Sequence, residues 1–109
     1  MTFIKPYVII SHTHANQLYH SKTTISDGSI MEMVIWQLPE ITEERPHGLK
    51  YRFNYSLPDG TTLARYDNES KKGDHRHIYA KEQPYIFRTI EQLFIDFFDD
   101  IVANGGLLQ

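Results

Sequence analysis

The sequence predicts an α+β domain: an antiparallel meander of four to five strands with one C-terminal helix packed on one face. Three observations carry that expectation. Leu49 to Leu57 alternates without a break, placing Leu49, Tyr51, Phe53, Tyr55 and Leu57 on one side and Lys50, Arg52, Asn54 and Ser56 on the other, as in a strand with one covered and one wet face. Asp27-Gly28 and Pro58-Asp59-Gly60 each separate two strand-like runs, the strongest short-range hairpin signal. Thr89-Ile90-Glu91-Gln92 matches a capping box, followed by Ile90, Leu93, Phe94, Phe97, Phe98 and Ile101 at helical spacing and by an Asn104-Gly105-Gly106 stop.

A chain of 109 residues with 40% apolar and 13% aromatic content supports one thin core. It contains no cysteine, which excludes disulfides, thiolate metal sites and thiol catalysis. Lys5 and Pro6 interrupt the apolar N-terminus, so it does not read as a secretory signal, and no run reaches the ~18 apolar residues of a membrane span. A soluble cytoplasmic protein without a membrane partner is expected. The net charge of −3 arises entirely in residues 81–109, and residues 1–80 are balanced. That balance lacks the bulk basic footprint of a duplex-binding protein.

Taken in order, residues 1–17 form a weakly ordered arm and residues 18–109 the domain. His12-x-His14 in the arm lacks a nearby third ligand, which favours a solvated pair over a metal clip. Leu18 to Ile25 and Ser29 to Leu38 pair through a two-residue Asp27-Gly28 loop. That register sets Thr24 against Met31, His20 against Ile35, and Glu32 against Thr23, on a face with Val34 and Trp36. There the Glu32 carboxyl either rises in pKa among apolar neighbours or simply reaches solvent. Residues 39–46 (PEITEERP) are an acidic loop that two prolines keep out of any central strand. The second hairpin sets Phe53 against Tyr66 on the covered face, and Asn54, Arg52 and Lys50 against Arg65, Asp67 and Glu69 on the wet face. His75 to Ala80 is the fifth strand, with His75, His77 and Tyr79 on one side and Arg76 and Ile78 on the other; Lys81-Glu82-Gln83-Pro84 ends it. The helix covers Tyr51, Phe53 and Tyr55. Asp99 and Asp100 lie in its last turn, where the macrodipole disfavours anions; a basic partner surface or plain exposure would account for them.

The chemistry concentrates in Arg65 to His77. Three readings compete. One is a ladder of exposed ion pairs, each worth less than ~1 kcal/mol. The second is metal-free RNA cleavage, which needs an acid, a base and cations for the phosphorane; imidazoles and guanidinium or ammonium groups supply these. The third is a divalent-metal site in which His75 and His77 join Asp74, Asp67 or Glu69. The lysines and arginines nearby weigh against that reading.

The runs Gly28…Met31-Glu32-Met33-Val34-Ile35-Trp36-Gln37-Leu38-Pro39, His47-Gly48-Leu49-Lys50-Tyr51-Arg52-Phe53 and Tyr66-Asp67-Asn68-Glu69…Lys72-Gly73-Asp74-His75-Arg76-His77 resemble the TumE family of toxin–antitoxin proteins. The resemblance runs from about Leu18 to Val102 and leaves residues 1–17 as an extension. It implies a small toxin neutralised by direct contact with a helix-turn-helix antitoxin, and ribonuclease action is the usual expectation for toxins of this size. The positions matching the motif are Tyr66, Asp67, Asn68, Lys72, Gly73, Asp74, His75, Arg76 and His77.

The combined expectation is a metal-independent ribonuclease toxin. His75 and His77 are its acid and base, and Asp74 orients one of them. Arg76, Lys72, Lys50 and Arg52 hold phosphate. Gly73 allows close approach or a positive φ, and Tyr66, Asp67 and Asn68 join the substrate site. No cofactor or metal ligand is assigned. The partners are the antitoxin, RNA and, in one arrangement, a second copy of the chain. The alternative is a non-catalytic module binding nucleic acid or protein through the same polar face.

Overall fold

In the computed structural model, which describes residues 15–69 and 73–109, six strands run in chain order as one antiparallel sheet. They are β1 (Asn16–Thr24), β2 (Ile30–Gln37), β3 (Leu49–Ser56), β4 (Thr62–Asp67), β5 (His75–Ile78) and β6 (Lys81–Pro84), followed by the helix α1 (Ile90–Ala103). His12, His14 and Lys72 lie outside the described residues, as does most of the expected arm. β1 begins at Asn16, two positions before the expected Leu18.

The first two hairpins close through one kind of loop. Gly28 N–H donates to Ile25 O at 2.9 Å and Ile25 N–H donates to Ser29 O at 2.7 Å, so Ser26, Asp27 and Gly28 make a three-residue loop. Gly28 takes φ +93°, and Asp27 Oδ1 accepts from Ser29 N–H at 2.9 Å. The expected two-residue loop is therefore wrong, and the register moves by one: Thr24 faces Ile30 and His20 faces Val34. A one-residue slip exchanges the faces of a strand. His20 thus lies on the wet face, where its Nε2 meets Glu32 Oε2 at 3.0 Å. That hydrogen bond holds the Glu32 carboxyl below its usual range, the opposite of the rise considered from sequence.

The Pro58-Asp59-Gly60 loop has the same bonds, Gly60 N–H to Leu57 O and Leu57 N–H to Thr61 O. Here a bulge at Leu63 takes up the extra residue, so that Arg52, Phe53 and Asn54 face Asp67, Tyr66 and Arg65 as expected.

The fifth strand is shorter than expected, and the four residues read as its break are a sixth strand. Tyr79 and Ala80 form a two-residue loop, and Ile78, His77, Arg76 and His75 face Lys81, Glu82, Gln83 and Pro84. Pro84 is tolerated because β6 is the sheet's edge, where a missing N–H can point away from the ladder. Tyr79 leaves the strand with φ +52° and does not extend the His75–His77 row.

The helix lies where the sequence puts it. Thr89 caps it, its hydroxyl accepting from Gln92 N–H at 3.0 Å. The reciprocal half of the capping box is not made, because Gln92 Nε2 donates to Asp96 Oδ1 at 2.8 Å instead. Leu93, Phe97 and Ile101 are buried against Tyr51, Phe53, Tyr55 and Tyr66, with Phe97 5.3 Å from Phe53 and 5.7 Å from Tyr66 between ring centres. Among the described residues, no helix packs on the other face of the sheet. No helix among the described residues is long and apolar enough to cross a membrane.

Candidate functional site

Alternation along the strands divides the polar motif in two. Asp67, His75 and His77 point to the helix-free face, whereas Tyr66 and Arg76 point under the helix. Tyr66 is fully buried, and its hydroxyl donates to the Asp100 carboxylate; burial first, then that bond, push the phenol well above its ordinary pKa. Arg76 Nη1 donates to Asp100 Oδ2 at 3.0 Å and to Tyr66 OH at 3.1 Å. Neither residue faces a substrate on the open side. Asp100 thereby acquires an intramolecular partner in place of the basic partner surface or exposure suggested by its position in the last turn.

Asn68 is also internal. It is fully buried, its Oδ1 accepting from Tyr51 N–H at 3.0 Å and its Nδ2 donating to Leu49 O at 2.8 Å. The side chain continues the β3 ladder where β4 stops. Arg45 Nη2 donates to the Asn68 carbonyl at 2.8 Å and ties the acidic loop to the same point.

Asp74 orients a histidine, but a different one from that expected. Its Oδ2 lies 2.9 Å from His47 Nε2 and accepts from Tyr51 OH at 2.7 Å. Leu49 N–H donates to His47 Nδ1 at 3.1 Å, which leaves the proton on Nε2 for Asp74. Burial first, then the Asp74 bond, raise the Tyr51 phenol pKa, so Tyr51 remains a donor. The Phe87 ring packs at a 46° tilt with its centre 4.3 Å from that of His47. This cluster borders the core on the helix side, and Gly73, at φ +75°, immediately precedes Asp74 and the start of β5.

On the open face, His75 and His77 stand with ring centres 5.4 Å apart. His75 Nδ1 is 2.8 Å from Gly73 O and Nε2 is 2.9 Å from Asp67 Oδ1. A carbonyl only accepts, so Nδ1 carries a proton. Its side chain is only 8% exposed, against 29% for His77, so His77 is the more accessible of the two rings although its Nε2 is buried. Glu82, the cross-strand neighbour of His77, reaches both rings: Oε1 is 3.7 Å from His77 Nε2 and Oε2 is 4.0 Å from His75 Nε2. An open depression of about 290 Å³ is lined by His75, Glu82, Gln83 and Pro84.

The cations form a separate row on the same face. Arg65 lies opposite His77, Arg52 opposite Asp67, and Lys50 two residues before Arg52. Arg65 Nε donates to Asn54 Oδ1 at 3.0 Å. The expected Arg52–Asp67 ion pair is not formed, because Asp67 turns to His75. Among the described residues, Arg52 and Lys50 make no ion pair.

Sequence reasoning missed Glu82, Arg65 and His47. Glu82 was hidden by Pro84; pairing through a two-residue Tyr79-Ala80 loop would have set it against His77.

Fold and site together define a small α+β protein with one helix-covered sheet face and, on the opposite face, a histidine–carboxylate cluster beside a row of cations. The family model described as Toxin TumE matches residues 8–104, and the chain belongs to the TumE family. The match starts before the expected Leu18, so His12 and His14 fall inside it rather than in an extension. Membership implies an antitoxin partner in general. No curated protein and no solved structure gives a match.

Proposed function

We propose that this toxin cleaves RNA on the sheet face opposite the helix, with His77 exchanging a proton with substrate directly and His75 doing so through the Nε2 it shares with Asp67, which substrate must draw away from that carboxylate. The carrying observation is the pair of imidazoles 5.4 Å apart, within reach of a single phosphodiester. Asp67 takes the orienting role first given to Asp74, since it is Asp67 that holds His75. Arg52, Arg65 and Lys50 are the phosphate-binding groups on that face, charge-assisted donors suited to a developing phosphorane. Arg76 has no part in this reading. The antitoxin is a helix-turn-helix protein that contacts the toxin directly, and the toxin works in the cytoplasm.

The test uses the purified chain and end-labelled RNA in EDTA. Cleavage should occur, and His77→Ala and His75→Ala should each reduce it by about 10²-fold or more. Undiminished cleavage in both single variants overturns the assignment. Retained RNA binding with no cleavage by the native chain favours a non-catalytic module.

A further inference from the structure

We propose that His75, His77 and Glu82 form a binding site for a divalent transition ion of the zinc class. Among the described residues, this is the place where three ligating side chains converge: the nearest ring nitrogens and carboxylate oxygens all lie within 4.8 Å of one another. Two imidazoles and a carboxylate are a donor set that binds zinc with a coordination position left open.

Three features argue for a ligand rather than chance proximity. First, His75 Nδ1 donates to the Gly73 carbonyl at 2.8 Å, which fixes the ring and directs Nε2 toward the cluster. Metal-binding histidines characteristically secure their other nitrogen in this way. Second, His77 Nε2 is buried and has no hydrogen-bond partner. Leaving such an atom unsatisfied is unfavourable, and a bound ion would remove that cost. Third, the spacing suits an ion better than direct bonds. Glu82 stands 3.7 and 4.0 Å from the two Nε2 atoms, beyond hydrogen-bond length. Ligand atoms around a tetrahedral zinc are separated by about 3.3 Å, given bonds of ~2.0 Å. Rotamer adjustments of less than an ångström to about an ångström and a half would close the set.

The local charge favours a cation. Asp67 Oδ1, 2.9 Å from His75 Nε2, adds a second carboxylate and is placed to become the fourth ligand once the ion replaces the shared proton. Arg65, the β4 cation opposite His77, engages Asn54 of β3. The depression lined by His75, Glu82, Gln83 and Pro84 gives the ion a route from solvent.

The experiment is calorimetric titration of the tag-free full chain with zinc chloride. A saturable isotherm with one ion per chain is expected. Glu82→Gln and His77→Ala should each weaken binding by roughly tenfold or more. His12→Ala/His14→Ala should bind as the native chain does. Imidazole ¹⁵N resonances of His75 and His77 should shift on titration, and circular dichroism checks that each variant is folded. No saturable binding, or isotherms unchanged in Glu82→Gln and His77→Ala, overturns the site. Zinc on both Nε2 atoms should also abolish RNA cleavage; that consequence rests on the proposed function, whereas the isotherm and resonances stand without it.

Discussion

Replacing Asn68 tests whether a motif residue serves the fold or a ligand. Asn68→Ala removes an acceptor from Tyr51 N–H and a donor from Leu49 O, both in the interior of the sheet's end. Asn68 is fully buried, so water cannot easily take its place. Each of the two backbone groups left unsatisfied costs about 1–3 kcal/mol, which gives a loss of about 2–6 kcal/mol. Against a total of about 5–15 kcal/mol that loss is severe, and at about 4–8 °C per kcal/mol it lowers Tm by about 8 °C or more. Asn68→Asp is the sharper companion. It keeps the acceptor for Tyr51 but turns a carboxylate oxygen toward the Leu49 carbonyl and buries a charge, so it should be at least as destabilising. Urea titration followed by circular dichroism reads both. A loss below about 1 kcal/mol in Asn68→Ala, together with RNA cleavage lost in the folded variant, would refute the structural role and restore Asn68 to the site.

Three further outcomes are expected. Arg76→Ala should destabilise by about 1–3 kcal/mol, couple with Asp100→Asn by at least about 0.5 kcal/mol in a double-mutant cycle, and leave cleavage per folded molecule unchanged, because the guanidinium binds Asp100 and Tyr66 under the helix. The carboxyls of Asp27 and Asp59 are held below their usual range, chiefly by hydrogen bonds from the backbone of Ser29 and Thr61. Their unfolded forms therefore bind protons first as pH falls, so their stabilisation is complete above about pH 5 and is lost as pH drops through the lowered values. Asp27→Asn/Asp59→Asn, which keeps the turn acceptors uncharged, should flatten the acid limb of a stability–pH curve measured by urea titration. Gly106→Ala would place a Cβ 2.6 Å from Ile101 Cγ2 and 3.2 Å from Ile101 O; overpacking of about 1–3 kcal/mol should appear as a lower urea midpoint.

Much of the fold was legible because periodicity reports directly on burial. The alternation of Leu49 to Leu57 and the spacing of Leu93, Phe97 and Ile101 each describe a surface that has to be covered, and they are covered by each other. What was illegible was decided by single residues. Asp27-Gly28 is equally compatible with a two- or three-residue loop, and the choice moves His20 across the sheet. Pro84 reads as a breaker unless β6 is known to be an edge strand. Asp100 looks misplaced until Arg76 is known to cross beneath the helix.

The candidate site was half legible for a related reason. A recognisable motif says that its positions are specified, not what each is specified for. Strand alternation sends Asp67, His75 and His77 to the open face, and Tyr66 and Arg76 to the covered one. At the ends of the strands the requirement changes from side-chain direction to backbone satisfaction, which claims Asn68 for the ladder and Asp74 for His47 and Tyr51. The motif therefore contains its own scaffold, and part of the chemistry must come from outside it. Glu82 from β6 and Arg65 and Arg52 from β4 and β3 reach the open face by pairing register alone. The separation of charge that results, carboxylates around the imidazoles and cations one strand away, allows the same nitrogens either to move a proton or to hold an ion.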